Sequence, residues 1–269
     1  MNNLSRNRSF KYGDGLFETL SVINSKVVFL KEHFDRLSLG FEILSYDRPD
    51  DFSSEWLEIQ ILKFIDENKN ANLSDWRVRI TFWRNTAGFF RPESNTVSWD
   101  IEIFPLSQSS FKLNEKGYEI GIYPDVIISP DILSGIKTCS ALPYVMAAIY
   151  KDKMGWDDAL LLNSNGRIVE ASSSNIFVLK NKKLLSPTSA EGALPGVCRR
   201  KIIDSASEIG LDIVEDCINI EDLCDADEIW LTNVISGIRW VKNLYGSEAL
   251  FQSFYAERMT DLLNIKAKS

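Results

Sequence analysis

Histidine is almost missing: His33 is the only one in 269 residues. A metal centre built on clustered imidazoles is therefore not expected. Cysteine is sparse as well. Cys139, Cys198, Cys217 and Cys224 are scattered without paired spacing, so neither a disulfide framework nor a metal site is suggested. No apolar run approaches the roughly 18 residues of a membrane-spanning helix. The opening stretch MNNLSRNRSFKYGDG lacks the apolar segment of a secretory leader. Basic charge is outweighed, 30 lysines and arginines against 38 acids, and a net charge of −8 argues against a nucleic-acid partner. These absences leave a cytoplasmic protein with free thiols and no membrane partner.

The chain is long enough for one large domain or two ordinary ones, and its 45% hydrophobic content is that of a globular protein. Its organising stretch runs over residues 133–175 and contains Lys137 and Glu170. Lys137 follows an apolar glycine turn and opens a segment that reads as a helix over 141–154. Leu142, Val145, Met146, Ile149 and Tyr150 recur there at the spacing of a buried helical face. Gly155 stops that helix. A strand over 159–162, an Asn165-Gly166 turn and a return strand over 167–171 follow, the last carrying Glu170. A lysine amine can form a Schiff base with a carbonyl when burial leaves it neutral. Pyridoxal 5'-phosphate needs such a lysine and an acid beside its ring nitrogen. Spacing alone does not separate that pair from a solvated loop lysine and a solvent-facing glutamate.

Elsewhere, strands are expected near 16–22, 27–29, 76–84, 97–104, 118–123, 177–179, 184–185 and 225–233. Helices are expected over 30–44, through Trp56, Leu57, Ile59, Leu62, Phe64 and Ile65, from the Pro195-Gly196 turn to about 209, and over 247–263. In the last, Leu250, Phe251, Phe254, Met259, Leu262 and Leu263 form the buried face. Arg77, Arg79 and Arg84 are read on one face of their strand, as a solvated face or as a carboxylate site. The polar stretch 107–116 is the candidate linker between residues 1–106, a smaller α/β domain, and residues 117–269. The Pro-Gly turn exposes helix-start amides that suit a phosphate, as some ordinary helix starts do.

Three motifs, YGDGLFETL at 12–20, the GIK turn with DDALLLNSNGRIVEASSSNIF, and ALPGVCRR at 193–200, resemble the class IV aminotransferases, the fold-type IV pyridoxal phosphate enzymes. That family includes branched-chain and D-amino-acid aminotransferases and 4-amino-4-deoxychorismate lyases, and the similarity spans nearly the whole chain. The resemblance implies an α+β protein of two domains, with the cofactor in the cleft between them. It implies Lys137 as the lysine that binds the cofactor, Glu170 as the partner of the pyridine nitrogen, and Arg36 of the HxxRL motif on the phosphate. His33 would orient Arg36 or pack. Val197, Cys198, Asn233 and Val234 would bind the cofactor, with Val197, Cys198 and Val234 donating backbone N–H groups to the phosphate; Asn233-Val234 resembles the asparagine-containing turn of the lyases. No metal is implied. A small-molecule amino substrate and a homodimer, in which a partner loop completes the pocket, follow from the same likeness.

Subclass is read from departures. Branched-chain enzymes carry a tyrosine five residues after the lysine, where this chain has Leu142. D-amino-acid enzymes have a tyrosine where Phe17 stands, and an arginine–histidine carboxylate trap where Phe89 and Arg91 stand. The lyases' Arg-Gly-Tyr pattern is missing too, and Cys198 replaces a common threonine. With YGDGLFETL and Thr232-Asn233, the lyase that forms 4-aminobenzoate for folate synthesis is the leading expectation. An amino-acid transaminase is the alternative, and a non-catalytic binding protein of the same fold is the second.

Overall fold

The computed structural model describes residues 6–68 and 74–268; the first five residues, part of the stretch read for a leader, lie outside it. The chain divides into two compact units, Met1–Ser109 with Ile136–Ala141, and Ser110–Gly135 with Leu142–Ser269.

In the first unit, α1 (Arg8–Tyr12) is capped by the Asn7 side chain and ended by Gly13 in the left-handed conformation. The sheet, in the order β2-β1-β3-β4, comprises β1 (Gly15–Ile23), β2 (Lys26–Val27), β3 (Trp76–Arg84) and β4 (Val97–Pro105). All its pairings are antiparallel. Asn24 and Ser25, both with positive φ, close the β1–β2 turn. Alternation then decides the faces. Leu16, Leu20 and Val22 of β1 join Trp76, Val78, Ile80 and Phe82 of β3 in the core. Helices α2 (Leu30–Ile43) and α3 (Ser54–Asn68) contribute Leu37, Phe41, Leu57, Ile61 and Ile65 to that core. The expected α3 face needs one correction: Ile59 points to solvent and Ile61 is buried. A second correction concerns β3. Arg84 is an odd number of residues from Arg77 and Arg79, so it leaves the opposite, buried face.

The second unit is built on an eight-stranded sheet in the order β10-β9-β8-β11-β12-β5-β6-β7. The strands are β5 (Tyr118–Ile128), β6 (Asp158–Asn163), β7 (Ile168–Ala171), β8 (Asn175–Lys180), β9 (Lys183–Ser186), β10 (Asp212–Glu215), β11 (Glu228–Asn233) and β12 (Gly237–Leu244). The helices are α4 (Leu142–Met154), α5 (Val197–Ser205), α6 (Ile220–Cys224) and α7 (Phe254–Lys266). Asn163 shapes the β6–β7 hairpin, its Oδ1 accepting from the N–H groups of Asn165 and Arg167. Within the polar stretch 107–116, Phe111 is buried and Asn114 exchanges hydrogen bonds with the Trp240 backbone.

Two helix expectations are overturned. Lys137 does not open a helix; α4 begins at Leu142, and Leu142, Val145, Met146 and Ile149 are all exposed. The inward side of α4 is instead Ala147 with the partly buried Tyr144 and Tyr150. The last helix starts at Phe254, not 247, because the buried Glu228 carboxylate receives the N–H groups of Tyr255 and Ala256 at 2.8 and 3.0 Å. Leu250 and Phe254 consequently lie in solvent, while Met259 and Leu263 are buried. No helix among the described residues is long and apolar enough to cross a membrane.

Candidate active site

In the second unit, β7 carries Glu170 in a buried position. Side-chain and backbone donors hold its carboxylate. The Tyr144 hydroxyl donates to Oε1 at 2.7 Å, and the Asn175 side-chain amide and the Leu194 N–H donate to Oε2 at 3.1 and 3.3 Å. Burial first, and then the charge of Glu170, push the Tyr144 phenol well above its ordinary range, so it donates as a neutral group. Asn175 also donates to the Leu194 carbonyl at 2.8 Å, which ties Glu170 to the loop leading into α5. Neither Tyr144 nor Asn175 was singled out in the sequence. Tyr144 sits one helical turn before buried Ala147, and Asn175 ends the polar run SSSN before an apolar strand.

Gly196 is the N-cap of α5 and makes no side-chain capping bond. A Cβ there would fall 1.8 Å from Asn175 Oδ1, so only glycine allows the loop this approach. Val197 and Cys198 follow as the first two helical residues, both buried. Burial pushes the Cys198 thiol up to about 12, which keeps it neutral and leaves an anion at this helix start unopposed. Arg199 is committed elsewhere, to Ser186 Oγ, the Pro187 carbonyl and Glu215 at 2.8–2.9 Å. After β11, Asn233 Oδ1 accepts the N–H groups of Ile235 and Ser236 at 3.0 and 2.8 Å and the Ser236 hydroxyl at 2.9 Å. This Asx turn sets the backbone around Val234.

In the first unit, residues 137–139 lie antiparallel on β1. The Phe17 N–H donates to the Lys137 carbonyl, the Cys139 N–H to the Gly15 carbonyl, and Thr138 pairs with Leu16. Lys137 therefore leaves this extended segment beside Phe17, with Nζ 4.6 Å from the ring centroid. The neighbouring strand residue, Glu18, projects to the opposite face. Arg36 donates to its carboxylate from Nε at 2.8 Å and Nη2 at 2.6 Å, and His33 Nδ1 lies 2.7 Å from Oε2. Burial alone would raise the Glu18 carboxyl, but Arg36 and His33 overcome it and hold the group at about 2. Burial lowers His33 against the partly offsetting pull of Glu18, so the imidazole is neutral at neutral pH. Glu18, a further residue the sequence reading did not single out, thus fixes Arg36 through two of its donors.

The arginines divide by role. Arg84 binds Asp14, the Leu44 carbonyl and, at 3.0 Å, Asn95 Oδ1. Arg8 binds Asp14 and the carbonyls of Gly88, Phe89 and Phe90. These two guanidiniums organise the 85–95 loop from inside, while Phe89 and Arg91 are exposed on it. Arg36 and Lys137 belong to the first unit; Glu170, Val197, Cys198, Asn233 and Val234 belong to the second. Within the second unit, the carboxylate of Glu170 and the uncapped amides at the start of α5 are groups of the kind that suit a pyridine nitrogen and a phosphate, and within the first unit Lys137 is an amine of the kind that suits an aldehyde.

Comparison with known proteins points the same way. The family model of the class IV amino-transferases matches residues 15–244. A Rickettsia felis protein named "Probable branched-chain-amino-acid aminotransferase" is 31% identical over 80% of this chain and 72% of its own. The aminodeoxychorismate lyase of Vibrio harveyi is 25% identical over 90% of this chain and 87% of its own. The crystal structure of 4-amino-4-deoxychorismate lyase from Pseudomonas aeruginosa superposes with a TM-score of 0.79 at 24% identity, covering 95% of this chain and 92% of that one. With motifs, fold and family model in agreement, the chain belongs to the class IV aminotransferases, pyridoxal-phosphate-dependent enzymes with the α+β architecture of fold type IV.

Proposed function

We propose that this enzyme is a 4-amino-4-deoxychorismate lyase, releasing pyruvate and 4-aminobenzoate, the latter for folate synthesis. The bound cofactor supplies an electron sink next to the carbon that carries the substrate amine. Lys137 Nζ would hold the cofactor and, when free, would accept and return protons as general base and acid. Glu170 keeps a proton at the pyridine nitrogen, and Tyr144, Asn175 and the Leu194 N–H keep Glu170 in position. The amides of Val197, Cys198 and Val234 take the phosphate together with Arg36, which Glu18 orients; Asn233 shapes the turn. A homodimer belongs to this reading as the family's assembly.

Leu142 carries the choice of subclass. It stands five residues after Lys137, opens α4 and is 67% exposed. The nearest tyrosine on that helix, Tyr144, spends its hydroxyl on Glu170. The tyrosine that marks branched-chain enzymes therefore has no counterpart at the start of α4. The long match to the Vibrio harveyi lyase supports the same reading. A second reading, amino-acid transamination, is favoured by the higher identity of the Rickettsia felis relative.

One experiment separates the two. The purified enzyme is given aminodeoxychorismate, and 4-aminobenzoate and pyruvate are assayed. In parallel, L- and D-amino acids are mixed with the enzyme while its visible cofactor band is followed. The lyase releases aminobenzoate, and its band bleaches slowly or not at all with common amino acids. Rapid bleaching by leucine, glutamate or D-alanine without aminobenzoate release establishes the transaminase instead.

A further inference from the structure

Four aromatic side chains of the second unit form a continuous row. Tyr123 of β5 and Tyr150 near the end of α4 have ring centroids 4.9 Å apart, Tyr150 and Trp156 5.7 Å, and Trp156 and Tyr245 5.2 Å. Each step falls within the range of aromatic pairs in contact. The row runs outward: Tyr123 is 3% exposed, Trp156 8% and Tyr245 59%. Backbone geometry fixes its members. Gly155, with positive φ, ends α4, and the Trp156 N–H returns to the Lys151 carbonyl at 3.0 Å. A Cβ on Gly121 of β5 would fall 2.2 Å from the indole, so glycine there lets Trp156 lie against the strand. The Tyr245 N–H donates to the Ile120 carbonyl at 2.7 Å, which holds the outer ring beside the same strand.

Tyrosine and tryptophan are among the side chains most readily oxidised by one electron, and electrons pass quickly between rings in contact. Trp156 gives the row its direction. Its Nε1 is buried with no hydrogen-bond partner among the described residues. An oxidised indole there has no neighbour to take its proton, so it stays a cation and a strong oxidant. Tyr245 releases its phenolic proton to water as it gives up an electron, which makes it the terminus. Trp156 and Tyr245 also line an open cleft of about 320 Å³, where a small reductant can approach the phenol. The inner end lies in the cluster against which Tyr144, the donor to Glu170, is packed. We propose that this row is a relay that carries an oxidising equivalent out of the packing around Tyr144 to the surface at Tyr245. A one-electron oxidant removes an electron from a ring of the row. Trp156, as the radical cation, takes an electron from Tyr245, whose proton passes to water. A low-molecular-weight thiol then donates a hydrogen atom to the Tyr245 oxygen, which restores the phenol. The thiyl radical so formed pairs with a second one as a disulfide. The relay is independent of which reaction the enzyme catalyses.

The test uses the holoenzyme in air under light absorbed by tryptophan and not by tyrosine. Light ejects an electron from the indole, dissolved oxygen captures it, and peptide mapping reads the product at each tryptophan. Tyr245→Phe keeps the exposed ring and removes the phenol. It should raise N-formylkynurenine at Trp156 severalfold and leave the other tryptophans unchanged. Tyr12→Phe, which removes an exposed phenol of the first unit, should have no such effect. With a nitroso spin trap and no thiol, wild type should carry the adduct at Tyr245, and Trp156→Phe should lose it. Excess thiol should suppress the adduct in wild type without raising N-formylkynurenine at Trp156. Equal product at Trp156 in wild type and Tyr245→Phe, an equal rise in Tyr12→Phe, or a Tyr245 adduct that survives Trp156→Phe overturns the relay.

Discussion

At the residue scale, the lysine is the most exposed assignment to test. Borohydride reduction followed by peptide mapping should label Lys137, and Lys137→Ala should lose both covalent cofactor attachment and turnover. A label on another lysine refutes the assignment. Glu170→Gln should retain the cofactor and lose turnover by an order of magnitude or more, since one charge-assisted contact contributes about 1.5–3 kcal/mol. Tyr144→Phe should produce a smaller loss in the same direction, because Asn175 and the Leu194 N–H still hold the carboxylate. The Glu18 cluster makes a pH prediction of definite sign. His33 sits below its ordinary 6.5 in the folded protein, so the unfolded chain takes up a proton first and stability falls as pH drops below that value. Glu18, held at about 2 against an ordinary 4.5, contributes fully above 4.5 and loses its contribution as pH falls toward 2. Urea midpoints should therefore decline on acidification, and His33→Gln should flatten the upper part of that decline.

At the element scale, α4 and α5 show how position outweighs pattern. The apolar periodicity of α4 is real, yet Ala147 is the buried residue, and of the periodic set Leu142, Val145, Met146 and Ile149 face outward while only Tyr150 packs inward. Val145→Glu should change thermal stability by no more than about 0.5 kcal/mol, as surface substitutions do. Ala147→Leu should cost about 1–3 kcal/mol by overpacking. The reverse result would place the periodic face back in the core. For α5, Gly196→Ala should displace the helix start or Asn175, since the new Cβ has no room beside Oδ1. Cofactor retention through dialysis, read from the visible band, should drop, and with it the hold on Glu170.

At the scale of the molecule, the chain leaves the first unit after Ser109 and returns to it for Ile136–Ala141. Ile136 is 3% exposed within the first unit's core, and residues 137–139 add hydrogen bonds along β1. A fragment of residues 1–109 should be less stable than the same fragment with residues 136–141 joined through a Gly-Ser linker. Loss of one buried isoleucine alone is worth about 2–5 kcal/mol. Equal thermal midpoints for the two fragments would refute that role.

Local chemistry made much of this protein legible from sequence. Positive-φ turn residues, period-two alternation in β1 and β3, and the Pro-Gly entry to α5 act over a few residues, so they could be read directly. The motif resemblance singled out Lys137, Glu170 and the helix-start residues because cofactor chemistry constrains residue type at fixed spacing. Three things required the tertiary structure. The side of α4 that faces inward depends on what packs against it, which periodicity cannot encode. Lys137 stands on a segment paired to β1 because strand addition over more than a hundred residues of separation leaves no local signature. The partners that orient the functional groups, Glu18 for Arg36 and Tyr144 with Asn175 for Glu170, are set by burial. A buried charge must find donors wherever the fold brings them, and only the fold decides which residues those are.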